Sequence, residues 1–387
     1  MIEIYRELAS HLASGDPVAT VTVVRRQGST PRETGASMLV GRSGLLSGTI
    51  GGGAAEAEIC RQARECLENT TPRLIYVDLR GNSIEPGLGI CGGKFDAFVK
   101  PWSRSGAESG HAQSMLVATI VDHLAHHREV TLATVIAAEG ALATRLGEQW
   151  VVDPPRSDQS PPPTLGADLS ELIGQARTGV RSAGLNVAVE SGGDRATVFV
   201  ELLRPPDRLV IVGAGHIGLT LAKMAATVGF SVTVIDDRPE FVTPERFPDA
   251  DQLISGAVDQ ALRDLPLDLG CHLVLLTRGF NQDVLALREV LDRPLAYLGL
   301  IGSVRRVFTV FRELHREGVG AERLSAIHGP VGLDLGGQTP AEIAVEILAE
   351  LLKTRTGASG RELSSGLRPG LRARLQKAAA RQPGQRR

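Results

Sequence analysis

Several clusters in this chain have the residue types and spacing to do chemistry. The first is Gly213-Ala214-Gly215-His216-Ile217-Gly218, a G-x-G-x-x-G run that follows the apolar stretch 209–212. In such a run the first glycine allows a tight turn, the second lets a pyrophosphate approach the backbone, and the third lets a helix pack on the strand. Those roles fall on Gly213, Gly215 and Gly218, and the helix N-terminus behind them offers N–H donors and a positive dipole end to an anion. A second apolar stretch ends at Asp236-Asp237, where the acid that binds a ribose belongs. Asp236 would accept from a 2′-hydroxyl and repel a 2′-phosphate, favouring NAD over NADP, a preference that Arg238 weakens. His216, in the first turn of the helix, either meets the ligand or only caps and packs.

Three N-terminal stretches form a second cluster: Gly28-Ser29-Thr30-Pro31-Arg32, then Gly48-Thr49-Ile50-Gly51-Gly52-Gly53-Ala54-Ala55-Glu56, then Cys91-Gly92-Gly93. Glycines ahead of a helix, here Gly51, Gly52 and Gly53, can form a nest of N–H donors for phosphate-like oxygens, and Arg32 adds a planar charged fork. Glu56 stands in the first turn of the following helix, where an acid also compensates the dipole. Cys91, between flexible neighbours, could present a thiol, or it is a small buried hydrophobe. Two later loops join the candidates. Gly302-Ser303, followed by Arg305 and Arg306, makes an anion grip or an ordinary helix start. Residues 328–342 are a glycine-rich loop carrying Asp334 and closed by a capping box, with Thr339 at N-cap, Pro340 at N1 and Glu342 at N3. No catalytic constellation is legible: there is no G-x-S-x-G, no H-E-x-x-H and no paired metal-ligand spacing.

The elements that must position these residues follow from hydrophobic period. Ile4, Leu8 and Leu12 mark an amphipathic helix, and 19–24 a strand. Residues 101–110 read as a linker. A helix at 114–127, a strand at 130–137, a proline-rich loop at 154–163, a short helix at 169–177 and a strand at 196–200 follow. From 204 onward short apolar strands at 209–212, 232–235, 273–276 and 296–301 alternate with helices starting near His216, Asn281 and Ser303. That alternation predicts a parallel sheet with helices on both faces. The chain is therefore expected to be α/β, with domains at 1–102, 103–203 and 204–353 and a basic, disordered tail at 354–387.

Composition narrows the function classes. With 42 Lys+Arg against 44 Asp+Glu the net charge is −2, and aromatics are only 4%; neither a nucleic-acid groove nor a stacking platform has material to form. The cysteines, Cys60, Cys66, Cys91 and Cys271, include no C-x-x-C pair, which argues against a disulfide framework or structural zinc and for a reducing cytoplasm. No apolar run is long enough to span a membrane, and the N-terminus lacks the pattern of a secretory signal.

Taken together, the motifs resemble those of the XdhC/CoxI family, accessory proteins of molybdenum hydroxylases. The resemblance rests on G-S-x-P-R-x-x-G-A-x-M at 28–38, G-x-I-G-G-G-x-x-E at 48–56, C-G-G at 91–93, V-G-A-G-H-x-G at 212–218, Y-x-G-L-I-G-S at 297–303 and G-L-D-x-G-x-x-T-P-x-E-I-A at 332–344. Residues 103–203 carry none of it. One departure stands out: where the family often has T-x-x-H-x-x-D, this chain has Thr277 and Asp283 but Phe280 in place of the histidine.

The resemblance implies an N-terminal α+β domain joined to a doubly wound Rossmann domain, in a homodimer. It implies a protein that binds molybdenum cofactor (molybdopterin), protects it while a cysteine desulfurase installs its sulfido ligand, and delivers it to a hydroxylase such as xanthine dehydrogenase or carbon monoxide dehydrogenase. Under that reading Gly28, Ser29, Arg32, Gly51 to Gly53, Glu56, Cys91, Gly92 and Gly93 form one binding surface. Gly213, Gly215, His216, Gly218, Asp236, Gly302, Ser303, Arg305, Asp334 and Thr339 form the other. Cys91 would face molybdenum, a soft metal that tolerates a thiolate. Such a chaperone need not be an enzyme. The alternatives are an NAD-dependent oxidoreductase and a dinucleotide-sensing regulator, both resting on the Rossmann site.

Overall fold

The computed structural model describes residues 2–79, 93–102, 107–153, 184–191, 193–366 and 370–371. Cys91, Gly92, the proline-rich stretch, the expected helix at 169–177 and most of the basic tail lie outside the described residues. The chain divides into two compact units, Met1–Pro206 and Asp207–Arg387.

The first unit contains α1 (Ile2–Ser14), β1 (Val18–Gln27), β2 (Ser37–Gly41), β3 (Gly44–Gly48), α2 (Gly53–Asn69), β4 (Arg73–Asp78) and β5 (Lys94–Trp102), then α3 (Ala107–Ala125), β6 (Val130–Ala138), β7 (Gln149–Asp153), β8 (Gly184–Ser191) and β9 (Asp194–Leu203). Its strands form two antiparallel sheets, ordered β3-β2-β1-β5-β4 and β7-β6-β9-β8. Alternation along β1 sends Ala19, Val21 and Val23 to one core, where Ile59, Ala63 and Cys66 of α2 cover them. Leu8 and Leu12 of α1 pack with Ile120 and Leu124 of α3 in another. The helix expected at 114–127 begins at Ala107, inside the stretch read as a linker; Gly110 and Ser105 there gave a loop-like composition to what is partly a helix.

The second unit has β10 (Arg208–Val212), α4 (His216–Thr227), β11 (Ser231–Asp236), β12 (Gln252–Ser255), α5 (Val258–Asp264), β13 (Cys271–Leu275), α6 (Phe280–Val290), β14 (Tyr297–Leu300), α7 (Val304–Arg316), α8 (Ala321–Ser325) and α9 (Pro340–Thr356). All pairings are parallel and the order is β12-β11-β10-β13-β14. Both faces of the central strand are buried: Leu209 and Ile211 join the core under α4 and α9, while Val210 and Val212 join the core under α5, α6 and α7. This is a doubly wound Rossmann domain, and the first unit is α+β. The sequence pattern carries no clear signal for β12 and α5. Gln-Leu-Ile-Ser holds too few apolar residues to show a period.

Candidate functional site

In a doubly wound sheet ligands bind beyond the C-terminal ends of the strands, where the strand order reverses. Here that point is the turn after β10. Gly213 has φ 125°, and a Cβ on it would lie 2.4 Å from the Leu276 carbonyl oxygen. A Cβ on Gly218 would lie 2.0 Å from the carbonyl oxygen of Gly213. Both glycines are demanded by the fold. Gly215 is different: its φ is −73° and a Cβ would meet nothing within 4 Å. It is the N-cap of α4, no side chain caps that helix end, and His216 is exposed as the first helical residue.

The Asp236 carboxylate lies behind this turn, only 4% exposed. Oδ2 accepts from the Ala214 N–H at 2.7 Å and from Arg238 Nη2 at 2.9 Å, and Oδ1 accepts from the Arg238 backbone N–H and Nε at 3.0 and 2.8 Å. Burial pushes its pKa up, but the bonds from Arg238 and Ala214 outweigh that and hold it down at about 2. The Arg238 guanidinium in turn lies 3.7 Å above the Phe241 ring. Asp236 thus pins the glycine turn to β11, and both its oxygens are engaged by protein groups. Its neighbour Asp237 projects outward and is held by Arg278 and Gln282 from the loop and helix after β13.

On the far side of the turn, Gly302 has φ 152° and Ser303 is the N-cap of α7, its hydroxyl accepting from the Arg306 N–H at 3.3 Å. The two arginines behind it part company. Arg305 is exposed, whereas Arg306 turns inward, its Nε 2.8 Å from Oδ2 of fully buried Asp283 and its Nη2 3.1 Å from the Thr277 carbonyl oxygen. Thr277 also donates its hydroxyl to Asp283. Arg306 therefore neutralises a buried acid and fixes α7 against the β13 loop, a role the sequence did not reveal. Phe280, at the start of α6, is half-buried against the core beneath α5 to α7.

The long loop before α9 is held by three carboxylates from that helix. Glu342 accepts from the N–H groups of Gln338 and Thr339, Glu346 from Leu335 and Gly337, and Glu350 from Gly332. Glu350 also accepts from Tyr297 Oη at 2.7 Å and lies 2.9 Å from His328 Nδ1. Their spacing of four puts all three on one helix face. That spacing was present in the sequence but reads equally as a solvated acidic face. The Thr339 hydroxyl is engaged as the cap of α9, in the capping box with Glu342, while Asp334 is exposed.

In the first unit the structure brings the described N-terminal motifs together. A Cβ on Gly51 would lie 2.5 Å from Cβ of Pro31, and one on Gly93 would lie 2.2 Å from the Ser29 carbonyl oxygen. Gly28 has φ 75°, and Gly51, Gly52 and Gly53 are all in the positive-φ region. The nest they form already holds an anion from the chain itself. Glu56 Oε2 accepts from Thr49 Oγ1 at 2.6 Å, from the Ile50 N–H at 2.9 Å and from the Gly52 N–H at 3.1 Å. Burial raises the pKa of Glu56, yet these bonds win and leave it below the usual carboxylate range. Arg32 is exposed. No group of three or more His, Cys, Asp or Glu able to hold a metal occurs among the described residues.

Known families match part of each unit. Residues 209–351 match the family described as the XdhC Rossmann domain, and residues 11–78 match the XdhC and CoxI family. An uncharacterized protein of Escherichia coli K12, YqeB, is 27% identical over 363 residues, which cover 93% of this chain but only 47% of that protein's length. A Bacillus subtilis 168 protein, named as a probable subunit of xanthine dehydrogenase, is 27% identical over 351 residues, 89% of this chain and 95% of that one. The crystal structure of a xanthine dehydrogenase from Bacillus halodurans superposes with a TM-score of 0.71 at 23% identity, covering 93% of this chain and 97% of that one, a likeness of fold.

Proposed function

Because the chain belongs to the XdhC and CoxI family, we propose that it is an accessory protein for a molybdenum hydroxylase of the xanthine dehydrogenase or carbon monoxide dehydrogenase type. Its cargo is molybdenum cofactor, which it shelters while a cysteine desulfurase supplies the sulfido ligand and then delivers. The name of the Bacillus subtilis relative supports the client class. The observation that carries the reading is the glycine turn after β10. Gly215 is a glycine without a conformational or steric reason inside the protein, at an uncapped helix N-terminus. Such a position is explained by a phosphate-bearing ligand whose oxygens come where a side chain would stand.

Arg305, exposed one turn from Gly302, offers a guanidinium group to phosphate oxygens in the second unit, and exposed Arg32 offers one to an anion in the first. Cys91 is assigned to the molybdenum end of the cargo on the family motif. A chaperone must release what it holds, so hydrogen bonds and ion pairs suit it better than covalent attachment. The same glycine turn would accept NAD, which makes a dinucleotide-dependent regulator or oxidoreductase the alternative. We place the protein in the cytoplasm, as a homodimer; no helix among the described residues is long and apolar enough to cross a membrane. Purification of the full chain from a molybdenum-replete host tests the proposal. Molybdenum and pterin should copurify and should restore activity to an apo-hydroxylase, and a protein free of both would overturn it.

A further inference from the structure

The sheet order puts β10 between β11 and β13, so the loops after β11 and β13 stand on either side of the glycine turn. Two strand spacings separate them, roughly 9–10 Å. That gap is bridged. Arg278 Nη2 lies 3.0 Å from Oδ1 and 3.3 Å from Oδ2 of Asp237, and Gln282 Nε2 donates to Oδ2 at 2.9 Å. Asp237 is the first residue after β11, and Arg278 lies three residues beyond the end of β13. The bridge therefore crosses the end of β10, on the side of the sheet where Gly215 leaves space for a ligand.

The acid at the end of the second strand normally meets a ribose in such folds, but Asp236 is buried with both oxygens engaged. Asp237 has the exposed carboxylate at this edge, with side chains 38% exposed for Asp237 and 57% for Arg278. Two further charged groups face it: the Asp236 carboxylate, and Arg238, whose Nε lies 3.9 Å away and which is committed to Asp236. An exposed ion pair is weak enough for a ligand to displace.

We propose that Asp237, Arg278 and Gln282 form a clasp over the glycine turn, opened by a ligand that carries a ribose diol next to a diphosphate. The diol takes the place of Arg278 and Gln282 on the Asp237 carboxylate, while the diphosphate settles at the N-terminus of α4. Asp236 holds the turn in shape without touching the ligand. Asp237 is then the specificity-determining residue, because a ligand with phosphate but no ribose leaves the clasp shut. The inference rests on the reading of the glycine turn as the binding site for a phosphate-bearing cofactor. It adds that the cofactor carries a ribonucleotide, whether nicotinamide dinucleotide or a nucleotide-tailed pterin.

Calorimetric titration of the full chain with NAD, CDP and inorganic pyrophosphate tests this, NAD and CDP standing for the two sources of the ribonucleotide. Four proteins are compared: wild type, Asp237→Ala, the double variant Arg278→Met with Gln282→Leu, and Gly215→Val. Asp237 and Arg278 are exposed, Gln282 is half-buried and Gly215 faces open space, and thermal melts check that each protein stays folded. The double variant should bind NAD or CDP about threefold tighter than wild type, since no clasp has to open. Asp237→Ala should bind about tenfold weaker through loss of a charged acceptor, and pyrophosphate should distinguish none of these three.

Wild-type binding that neither substitution changes, or a double variant that binds more weakly, would overturn the clasp and leave the site itself standing. Binding by Gly215→Val equal to wild type would instead show that the glycine turn is not the site. If neither wild type nor the opened double variant binds NAD or CDP, the clasp is overturned, whereas binding only by the opened variant supports it.

Discussion

Two glycine-rich turns that lead into a helix, Gly48–Gly53 in the first unit and Gly213–Gly218 in the second, do opposite things with their N–H groups. At the first, Glu56 folds back and fills the nest with its own carboxylate. At the second no side chain caps the helix, and the Gly215 position faces open space. Similar composition can thus leave a turn filled by its own carboxylate or left open, and what decides is whether an acid within the next turn reaches back. The loop before α9 follows the first pattern, with Glu342, Glu346 and Glu350 doing for it what Glu56 does alone. Glycine density marks places where the backbone is asked to do something unusual; the nearest carboxylate tells whether the partner is internal.

The contrast breaks most sharply within the second turn. Gly218→Val, which would drive a side chain into the Gly213 carbonyl, should cost about 4 kcal/mol or more and leave the second unit unfolded in a thermal melt. A large effect of similar size is expected nowhere else in this turn except at Gly213.

The next effect comes from Glu201, on β9 of the first unit, which is buried and whose pKa burial lifts to about 8. An acid with a raised pKa favours the folded state below its unfolded value, near 4.5, and loses that advantage as pH rises toward 8. Glu201→Gln should therefore stabilise the protein by about 2 kcal/mol at pH 8 and by much less at pH 5, in denaturant titrations at the two pH values. Glu56 sharpens the comparison with the opposite sign. Its depressed pKa gives stability that is present above the ordinary glutamate value and lost as pH falls through the folded one. Glu56→Gln should lower stability by about 1–2 kcal/mol at pH 7, and the deficit should vanish in acid. Smallest of all, Gly215→Val should change stability by less than about 1 kcal/mol, because its backbone angles suit any residue and nothing stands in the way.

Much of the second unit was legible from sequence because its strands are buried on both faces and its helices carry strong boundary signals. Gly213 and Gly218 have the demands their motif predicts, and Thr339, Pro340 and Glu342 form the expected capping box. What stayed hidden involves partners brought together by the fold. Glu56 looked like a dipole-compensating acid, and nothing in G-G-G-A-A-E says that its side chain turns back onto Ile50 and Gly52. Asp236 stood at the ribose position by count, but its capture by Arg238 and Ala214 depends on the turn geometry after β11. Arg306 was indistinguishable from Arg305 until α7 was placed over Asp283. Of Gln252–Ser255, four residues with two apolar ones, too little pattern survives for any period to show.

The opposed roles of the two turns meet in one experiment: the molybdenum and pterin content of the full chain purified from a molybdenum-replete host, in wild type, Gly215→Val and Glu56→Gln. Gly215→Val should melt like wild type and carry little or no cargo, and Glu56→Gln should melt lower while its folded fraction keeps the cargo. Undiminished cargo in Gly215→Val, with cargo lost from folded Glu56→Gln, would contradict the account and move the binding site to the first turn.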